Sequence, residues 1–296
     1  MTNDPIVVIG DALIDVLIDG DTEESFVGGA AFNVATGLAI LGHPVSLIAM
    51  IGDDDHGTRI GADAARHGVK LIPTVGPYGS SVATSERING EPRYTFNEAA
   101  KNRKVRLGEA ERAAIDAAPL VLVSCFPLDD QQQTDDLLAA ILRPQNRLIL
   151  DPNPRSGMLH DADLFSRNFA QVAALALLVK IGDDDVRLLY DAALDAVRDA
   201  LHHHGSRLVL ATAGADGATL QLENGSTTRV GTPAGARPIL DTMGAGDACL
   251  AAAASVLARN GVPLDSDAAR DLLDYSMAIA AATCRQRGAL LQLPTP

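Results

Sequence analysis

The chain has 296 residues, 47% of them hydrophobic, and a formal net charge of −14 because 38 Asp and Glu outnumber 24 Lys and Arg. Protein cores stop growing at roughly 250–300 residues, so this length predicts one domain over 1–296. An acidic chain with no run of Lys or Arg cannot neutralise a polyanion, which argues against nucleic acid as a partner and favours small molecules.

The longest nearly uninterrupted apolar stretch covers 248–258, well short of the roughly 18–20 residues that cross a bilayer. The first residues carry acids and no Lys or Arg ahead of the apolar run, which does not fit a secretory signal. We therefore expect a cytoplasmic protein without a membrane partner. Cys125, Cys249 and Cys284 are far apart in apolar surroundings, so we expect buried free thiols rather than a disulfide or a metal site.

Short β-branched or leucine-rich runs alternate along the chain with alanine-rich stretches of helical spacing. The runs predict buried strands at 6–9, 45–50, 120–124, 147–150, 175–180 and 207–212. The stretches between them predict helices at 31–41, 57–67, 109–117, 134–142 and 191–202. Strand alternating with helix predicts an α/β fold with a mostly parallel sheet covered on both faces. Ligands of such sheets bind beyond the carboxyl ends of the strands.

Two segments break this alternation. Residues 12–27 and 79–97 have a period of two and contain turn residues, Asp19-Gly20 and Asn89-Gly90, so both predict extended or hairpin structure. We expect them to form a small second sheet, inserted into the single domain as a lid. The three histidines at 202–204 point in different directions on a helix, and we interpret them as a helix end.

The most informative stretch is DTMGAGD at 241–247, which precedes a long apolar helix that stops at Gly261 and Pro263. Small residues at a helix start leave backbone N–H groups free for an anion such as the γ-phosphate of a nucleotide. Asp247 cannot itself bind phosphate, because like charges repel. It is either a base that takes a proton from an attacking hydroxyl or a helix cap, and the residues alone leave both open.

Three further elements are weaker signals. Gly28 and Gly29 let backbone approach a ligand, and Asn33 offers a donor and an acceptor to a sugar-type hydroxyl. Asp11 follows the first strand, and a glycine-rich loop at 212–217 follows another. Each is also typical of a plain turn. No GxxxxGK[ST] motif occurs, and no GxGxxG follows the first strand, which weighs against the alternative of a Rossmann dehydrogenase.

Taken together, the motifs resemble those of the ribokinase-like sugar kinases, the phosphofructokinase-B family, from the first strand to about Gly288. GGAAFNVATGLAILG at 28–42 and DTMGAGDA at 241–248 carry most of the resemblance. Residues 10–15, DPNPR at 151–155 and the 212–217 loop fall in family order around them. The resemblance implies a three-layer α/β/α sandwich with a small β lid and ATP-dependent phosphorylation of a primary hydroxyl of a sugar.

The resemblance also implies the roles of individual residues. Asp247 is then the general base, and Gly244, Ala245 and Gly246 form an anion hole. The residues implied to bind the sugar are Asp11, Gly28, Gly29, Asn33, Phe96 and Arg155. Those implied to bind the nucleotide are Lys180, Thr212, Gly214 and Gly217.

Two metal sites are implied in the same way. The stretch 180–183, Lys-Ile-Gly-Asp, matches the family's pattern near magnesium and looks more like the Lys-x-x-Glu of bacterial fructokinases. Asp183 would hold Mg²⁺ through water, with Asp184 or Asp185 as substitutes and a helix cap as the plain alternative. Asp241 and the backbone around Gly288 match the position of a monovalent cation such as K⁺.

The choice of sugar depends on two stretches. DPNPR at 151–155 resembles the Asp-x-Asn-x-Arg of fructokinases and of 2-dehydro-3-deoxygluconate kinases. In the lid, Phe96-Asn97-Glu98 stands where many relatives have Phe-Tyr-Arg, and Glu98 there would repel a sugar acid, which prefers Arg. A neutral sugar, fructose first, is therefore favoured, while 2-dehydro-3-deoxygluconate, ribose, nucleosides and a non-catalytic sugar-binding regulator stay open. Exposed lid edges suggest a homodimer through the lid.

Overall fold

The computed structural model describes residues 5–20, 22–88, 91–142, 147–233 and 238–294, with the backbone alone at 87, 88 and 91–93. The strands in these ranges are β1 (Ile6–Gly10), β2 (Leu13–Asp19), β3 (Thr22–Gly28), β4 (Val45–Ile51), β5 (Val69–Val75), β6 (Ser81–Ile88), β7 (Glu91–Phe96), β8 (Val121–Ser124), β9 (Leu148–Asp151), β10 (Leu178–Gly182), β11 (Leu208–Thr212), β12 (Ala218–Gln221) and β13 (Thr227–Val230). The helices are α1 (Ala30–Ile40), α2 (Asp55–Arg66), α3 (Glu98–Lys101), α4 (Glu109–Ala117), α5 (Gln131–Ile141), α6 (Ala162–Ala173), α7 (Asp183–Leu189), α8 (Leu194–His203), α9 (Ala245–Asn260) and α10 (Ser266–Thr283).

The larger of two sheets is built from buried apolar runs. Its strands lie in the order β13-β12-β11-β10-β9-β8-β1-β4-β5, and the neighbouring pairs from β11 to β5 are parallel. Two antiparallel strands, β12 and β13, extend one edge. β1, β4, β8 and β9 are buried at every residue, as expected of parallel strands with helices on both faces. The predicted α/β fold is confirmed.

Alternate residues of one strand face opposite layers of helices. Val8 of β1 lies in an apolar core with residues of α1, α9 and α10. Its neighbours Val7 and Ile9 lie in a second core with residues of α4, α5, α6 and α8. Because the side-chain period of a strand is two, one continuous apolar run supplies both cores. The sheet is thus the middle of the three-layer sandwich that the sequence resemblance implies.

Small residues let α1, α9 and α10 pack closely on one face of the sheet. A Cβ at Gly37 of α1 would lie 3.1 Å from the Cβ of Ala251 in α9, closer than ordinary contact. α9 ends at Asn260, and the following Gly261 has a φ of 81°, as glycines do after many helices. This confirms the predicted long apolar helix and its stop.

The second sheet has the order β3-β2-β6-β7 and comes from the two segments that break the strand-helix alternation. Asp15, Ala83 and Phe96 are direct neighbours across β2, β6 and β7, so their side chains share one face. Phe96 packs against Cys125 and Met158, which follow β8 and β9. The small sheet therefore covers the carboxyl ends of the large sheet's central strands, which confirms the predicted lid.

Several elements escaped the sequence prediction, namely β5, β12, β13, α3, α6, α7 and α10. β13 alternates exposed and buried residues, so it lacks the continuous apolar run that indicates a central strand. The strand predicted from 175 begins instead at Leu178, because the N–H groups of Leu175 and Ala176 still bond to the last carbonyls of α6. The Asn89-Gly90 turn lies outside the described residues.

The sequence predicts that all three cysteines are buried free thiols. Cys125 and Cys249 are buried free thiols as expected, whereas Cys284 is half-buried. α8 ends at His203, in agreement with a helix end at the histidines. No described helix combines the length and the hydropathy of a membrane span.

Candidate active site

The start of α9 provides a pocket for an anion. Gly244 precedes the helix with a φ of 74°, and a Cβ there would lie 2.5 Å from the carbonyl oxygen of Ala289, so only glycine fits. The first N–H groups lack intrahelical partners, as at any helix start, and that of Ala245 donates to the carbonyl oxygen of Thr242 at 3.2 Å. A Cβ on Gly246 would come within 3.4 Å of the Nζ of Lys180. Backbone donors and an ammonium group therefore meet at one point.

Asp247 lies on the third residue of this helix and is buried, with only 5% of its surface exposed. Its Oδ2 accepts a hydrogen bond from Nδ2 of Asn33 at 2.8 Å, and its Oδ1 accepts one from Nδ2 of Asn153 at 3.3 Å. No side-chain bond caps α9, so the helix-cap interpretation of Asp247 is wrong. Burial raises the pKa of Asp247 to about 6, although the Asn33 amide opposes the rise.

Lys180 is the middle residue of β10 and is buried between two carboxylates. Its Nζ is 3.1 Å from Oδ1 of Asp151 and 3.7 Å from Oδ2 of Asp185. Burial disfavours the charged amine, but the two acids outweigh it and raise the pKa of Lys180. The ammonium group therefore stays charged beside the anion pocket.

The side chains of the three acids at the start of α7, residues 183–185, point in different directions. Asp183 pairs with the guanidinium of Arg187 at 3.0 Å on the surface, whereas Asp185 is buried, accepts from the N–H of Gly182 at 2.7 Å and faces Lys180. The structure therefore brings Asp185, and not Asp183, beside Lys180, and the acid that holds magnesium stays a prediction. The two carboxylates differ because residues two apart in a helix point to nearly opposite sides. Among the described residues, no group of three or more His, Cys, Asp or Glu is arranged around a metal position.

Asp11 follows β1 and is held by the start of α1. Its Oδ1 accepts from the N–H of Ala31 at 3.0 Å, and burial raises its pKa. Gly29 has a φ of 104°, and a Cβ there would lie 2.9 Å from the carbonyl oxygen of Asp11. The paired glycines thus bring Asp11 and the start of α1 together, with Asn33 one turn along the same helix.

Asp15 of the lid is a second carboxylate at this end of the cleft. A Cβ on Gly28 would lie 2.1 Å from its Oδ2, so that glycine makes room for the acid. Burial first, and then the charge of Asp11, raise the pKa of Asp15 to about 7. The sequence places Asp15 in a family motif but predicts no ligand contact for it. The reason is that a period of two does not distinguish a ligand-facing residue from a core residue.

Two arginines lie near these acids. Arg155 is exposed at the cleft, and the carboxylates of Asp247 and Asp11 are among the charges that act on it. Arg103 is buried and donates to the carbonyls of Cys125 and Ala100, both at 3.4 Å. Sequence reasoning missed Arg103, because it sits in a charged run, KNRK, that is typical of solvent-exposed chain.

The lid residues at 96–98 have local roles that the sequence did not show. Phe96 packs against the chain after β9, where a Cβ on Gly157 would lie 2.4 Å from its ring. Asn97 accepts from the N–H of Ala100 at 2.9 Å and so caps α3. The carboxylate of Glu98 is 69% exposed and pairs with Lys101. The expectation that Glu98 repels a sugar acid therefore loses its geometric basis.

The remaining predicted residues lie beyond β11 and before α9. Thr212 ends β11 and is registered with Gly182 of β10. Gly217 has a φ of 93°, and a Cβ there would lie 2.0 Å from the carbonyl oxygen of Val230. Gly214, with a φ of 49°, opens a short 3₁₀ turn between them. These residues form one loop at the carboxyl edge of the sheet, where Gly182 ends β10 two residues after Lys180.

Asp241 ties the chain before α9 to the chain after α10. Its two carboxylate oxygens accept from the N–H groups of Met243 at 2.9 Å and Gly288 at 3.0 Å. The two positions that the resemblance links to a monovalent cation are thus adjacent. The cation itself stays a prediction.

The sheet order, the four-stranded lid and the acid at the start of a glycine-preceded helix define the class of ribokinase-like sugar kinases. A family model described as pfkB family carbohydrate kinase matches residues 3–296. The chain therefore belongs to the PfkB family of carbohydrate kinases. This confirms the resemblance and excludes the dehydrogenase alternative.

Fructokinases are among the proteins that this chain is similar to. A fructokinase of Rhizobium leguminosarum bv. trifolii is 30% identical over 82% of this chain and 76% of its own length. A fructokinase structure from Xylella fastidiosa with bound ATP has a TM-score of 0.84 at 21% identity and covers 98% of this chain and 94% of that one. A double-mutant fructokinase of Vibrio cholerae O395, solved with fructose, ADP and a potassium ion, has a TM-score of 0.82 at 21% identity, with 98% and 95% covered. At these identities the two structures support the fold.

Proposed function

We propose that this kinase transfers the γ-phosphate of ATP to a primary hydroxyl of a neutral sugar, with fructose as the first candidate. The observation that carries the proposal is the placement of Asp247. Its buried carboxylate is held by two amides at the first turn of α9, beside the ammonium group of Lys180. An acid, backbone donors and a cation at one point are the parts that phosphoryl transfer to an alcohol needs.

In this proposal Asp247 takes the proton of the attacking hydroxyl. With a pKa of about 6, it is a stronger base than an ordinary Asp and is still mostly charged at neutral pH. The backbone of Gly244, Ala245 and Gly246, together with Lys180, offsets the negative charge of the transferring group. The chain's own part is to position the alcohol and to stabilise charge that grows in the transition state.

The nucleotide would lie along the loop that contains Thr212, Gly214 and Gly217. Positive φ angles at both glycines expose backbone to a ligand where side chains would not fit. Magnesium, when bound, neutralises phosphate charge, and it commonly uses one or two carboxylates together with phosphates and water. Asp185 is the residue that would hold it through water, since its carboxylate is buried beside Lys180.

The sugar would lie under the lid. Asp11 and Asn33 offer an acceptor and a donor to its hydroxyls, while Gly28 and Gly29 allow backbone approach. Phe96, on the lid face shared with Asp15, would cover it. A closed lid excludes water, which otherwise competes for the phosphoryl group.

A second candidate substrate, a sugar acid such as 2-dehydro-3-deoxygluconate, is favoured by one observation. Arg103 and Arg155 both act on Asp11 electrostatically, whereas Glu98 is turned to solvent. Two guanidinium groups at the sugar end suit a carboxylate. Fructose remains first because named fructokinases are among the relatives.

The test is a panel of fructose, ribose, 2-dehydro-3-deoxygluconate and a nucleoside, incubated with pure protein and Mg-ATP while ADP is followed. We expect the highest kcat/KM with fructose. A preference for the sugar acid would establish the second candidate. Binding of a sugar without sugar-dependent ADP would instead support a non-catalytic regulator.

We also propose that residues 1–296 act as one kinase domain, that K⁺ binds near Asp241 and Gly288, and that two copies pair through their lids. The Vibrio cholerae fructokinase structure holds potassium. Phe26 and Tyr94 are exposed on the lid, at 37% and 52%, and β3 and β7 are its edge strands. Light scattering tests the pairing, which a monomer at working concentration would refute.

A further inference from the structure

The chain just after β9 has an unusual conformation. Asn153 has a φ of 38° and, with Cys125, is one of two non-glycine residues at positive φ in the described ranges. It is also buried, with 7% of its surface exposed. A non-glycine residue keeps such a conformation only where its surroundings over-determine it, and such residues cluster at functional sites.

The side chain of Asn153 connects two acids. Its Nδ2 lies 3.3 Å from Oδ1 of Asp247 and 3.4 Å from Oδ2 of Asp151. The other oxygen of Asp151 lies 3.1 Å from Nζ of Lys180, and Ser124 donates to Asp151 at 3.3 Å. A continuous buried chain of contacts therefore connects Asp247, through Asn153 and Asp151, to the ammonium group of Lys180 beside the anion pocket.

We propose that Asn153 is a positioning residue for phosphoryl transfer, which fixes the second oxygen of the Asp247 carboxylate and ties it through Asp151 to Lys180. This inference rests on the proposed role of Asp247 as the base. Asn33 alone bonds one oxygen and leaves the carboxylate free to turn about its Cβ–Cγ bond. A second amide on the other oxygen removes that freedom.

The arrangement leaves the base able to act. Each carboxylate oxygen has two lone-pair positions, so an oxygen that accepts one amide can still accept a substrate hydroxyl. Correct orientation matters because a misplacement of about 1 Å can cost roughly 10²-fold in rate. The positive φ of Asn153, which Asn adopts more readily than most residues, accompanies the contacts of its amide with Asp247 and Asp151.

Charged groups from three elements face Asp247. Asp151 raises its pKa, Arg155 and Lys180 lower it, and Asp15 acts on it from the lid. An amide that donates to the charged carboxylate also lowers the pKa. Loss of the Asn153 amide should therefore raise the pKa of Asp247, an effect that a purely structural residue would not have.

The test variant is Asn153→Gly, because glycine adopts a φ of 38° without strain and the substitution removes the side chain that carries the amide. We expect kcat to fall roughly 10- to 100-fold, the KM for ATP to stay within a few-fold, and the acid limb of kcat/KM to move to higher pH. The matched control is Asn168→Ala, which removes another buried amide that donates to Leu128 at 2.8 Å. The control should lose stability but keep kcat and the acid limb.

Asn153→Asp is the second variant, since Asp also tolerates a left-handed backbone but offers no amide donor. Thermal melting and ATP binding show which variant is folded. A folded variant with wild-type kcat, or with lower kcat and an unmoved acid limb, would overturn the inference. Asp247→Asn in the same assays separates the two proposals: if it retains turnover, the base assignment fails, whereas its inactivity beside an active Asn153→Gly would refute the positioning role alone.

Discussion

The two ends of the cleft hold their charged groups differently. At the base end, both oxygens of Asp247 accept amide hydrogen bonds, and Lys180 lies between Asp151 and Asp185. At the sugar end, Arg155 has no hydrogen bond or ion pair from its guanidinium within the part of the chain that the structure describes. Under the proposed function, the groups that perform chemistry are thus fixed before the substrate arrives, whereas a group that recognises the sugar keeps bonding capacity for it.

The pKa values follow the same division. Asp247 has a pKa of about 6, because burial and the charge of Asp151 raise it while the Asn33 amide, Arg155 and Lys180 lower it. Asp15 reaches about 7, because a second carboxylate adds to burial there. Asp11 and Asp15 therefore disfavour each other's charge, and hydroxyl groups of a bound ligand can reduce this effect by donating hydrogen bonds to them.

The largest effect is expected at the base end. Asp247→Asn should lower kcat by at least ~10²-fold, since the amide cannot accept the hydroxyl proton, and leave nucleotide affinity within a few-fold. Steady-state kinetics and calorimetric ATP binding measure the two. Retained turnover would remove the base from the mechanism.

The pH dependence of kcat/KM is expected to follow the protonation of Asp247. Below pH 6 the carboxylate of Asp247 is increasingly protonated, so kcat/KM should fall about tenfold for each further pH unit. The rate of ADP formation between pH 4.5 and 8, under sugar-limited conditions, checks this. A profile that stays flat down to pH 5 contradicts it.

At the proposed sugar end, Arg155→Met should raise the KM for sugar roughly tenfold and leave the KM for ATP nearly unchanged, because it removes the guanidinium that we propose binds the sugar. The matched control is Arg187→Met, a surface arginine paired with Asp183. Equal effects of the two substitutions on the sugar KM would refute a specific role for Arg155.

The dependence of activity on the Mg²⁺ concentration tests whether Asp185 or Asp183 holds the metal. Asp185→Asn should raise the Mg²⁺ concentration for half-maximal activity several-fold, because it removes the carboxylate beside Lys180. Asp183→Asn should not, since its carboxylate is on the surface. The reverse result would support the assignment made from the sequence.

The smallest effect concerns stability. The pKa of Asp15 rises from 3.8 to about 7 on folding, so the folded state binds the extra proton between those values and loses stability as pH rises through them. Asp15→Asn should therefore increase the free energy of unfolding at pH 8 by on the order of 1–2 kcal/mol, and by less at pH 5. Denaturant melts measure this, with exposed Asp19→Asn as the control. A gain that is equal at both pH values argues against titration as the cause.

Much of the fold was predictable because its signals are local. The continuous apolar runs of β1 and β4 and the helix at Glu109–Ala117 appear within a few residues of chain. The helix start after Gly244 is local too, since small residues and a carboxylate occur there in sequence. The half-polar edge strands β12 and β13 carry no such signal, because their burial depends on neighbours that pair only in the folded sheet.

By itself, the sequence determined the α/β class, the lid segments and the chemistry available at Asp247, since backbone period and residue type act over short distances. The tertiary structure alone decided which side chains meet. Asn33 and Asp247 are 214 positions apart, and the turn that aims Asn153 at that acid depends on strands paired around it. Likewise, only the packing of α7 and α3 turned Asp185 inward and Glu98 outward. Side-chain direction is a property of contacts between distant segments, and no local pattern encodes it.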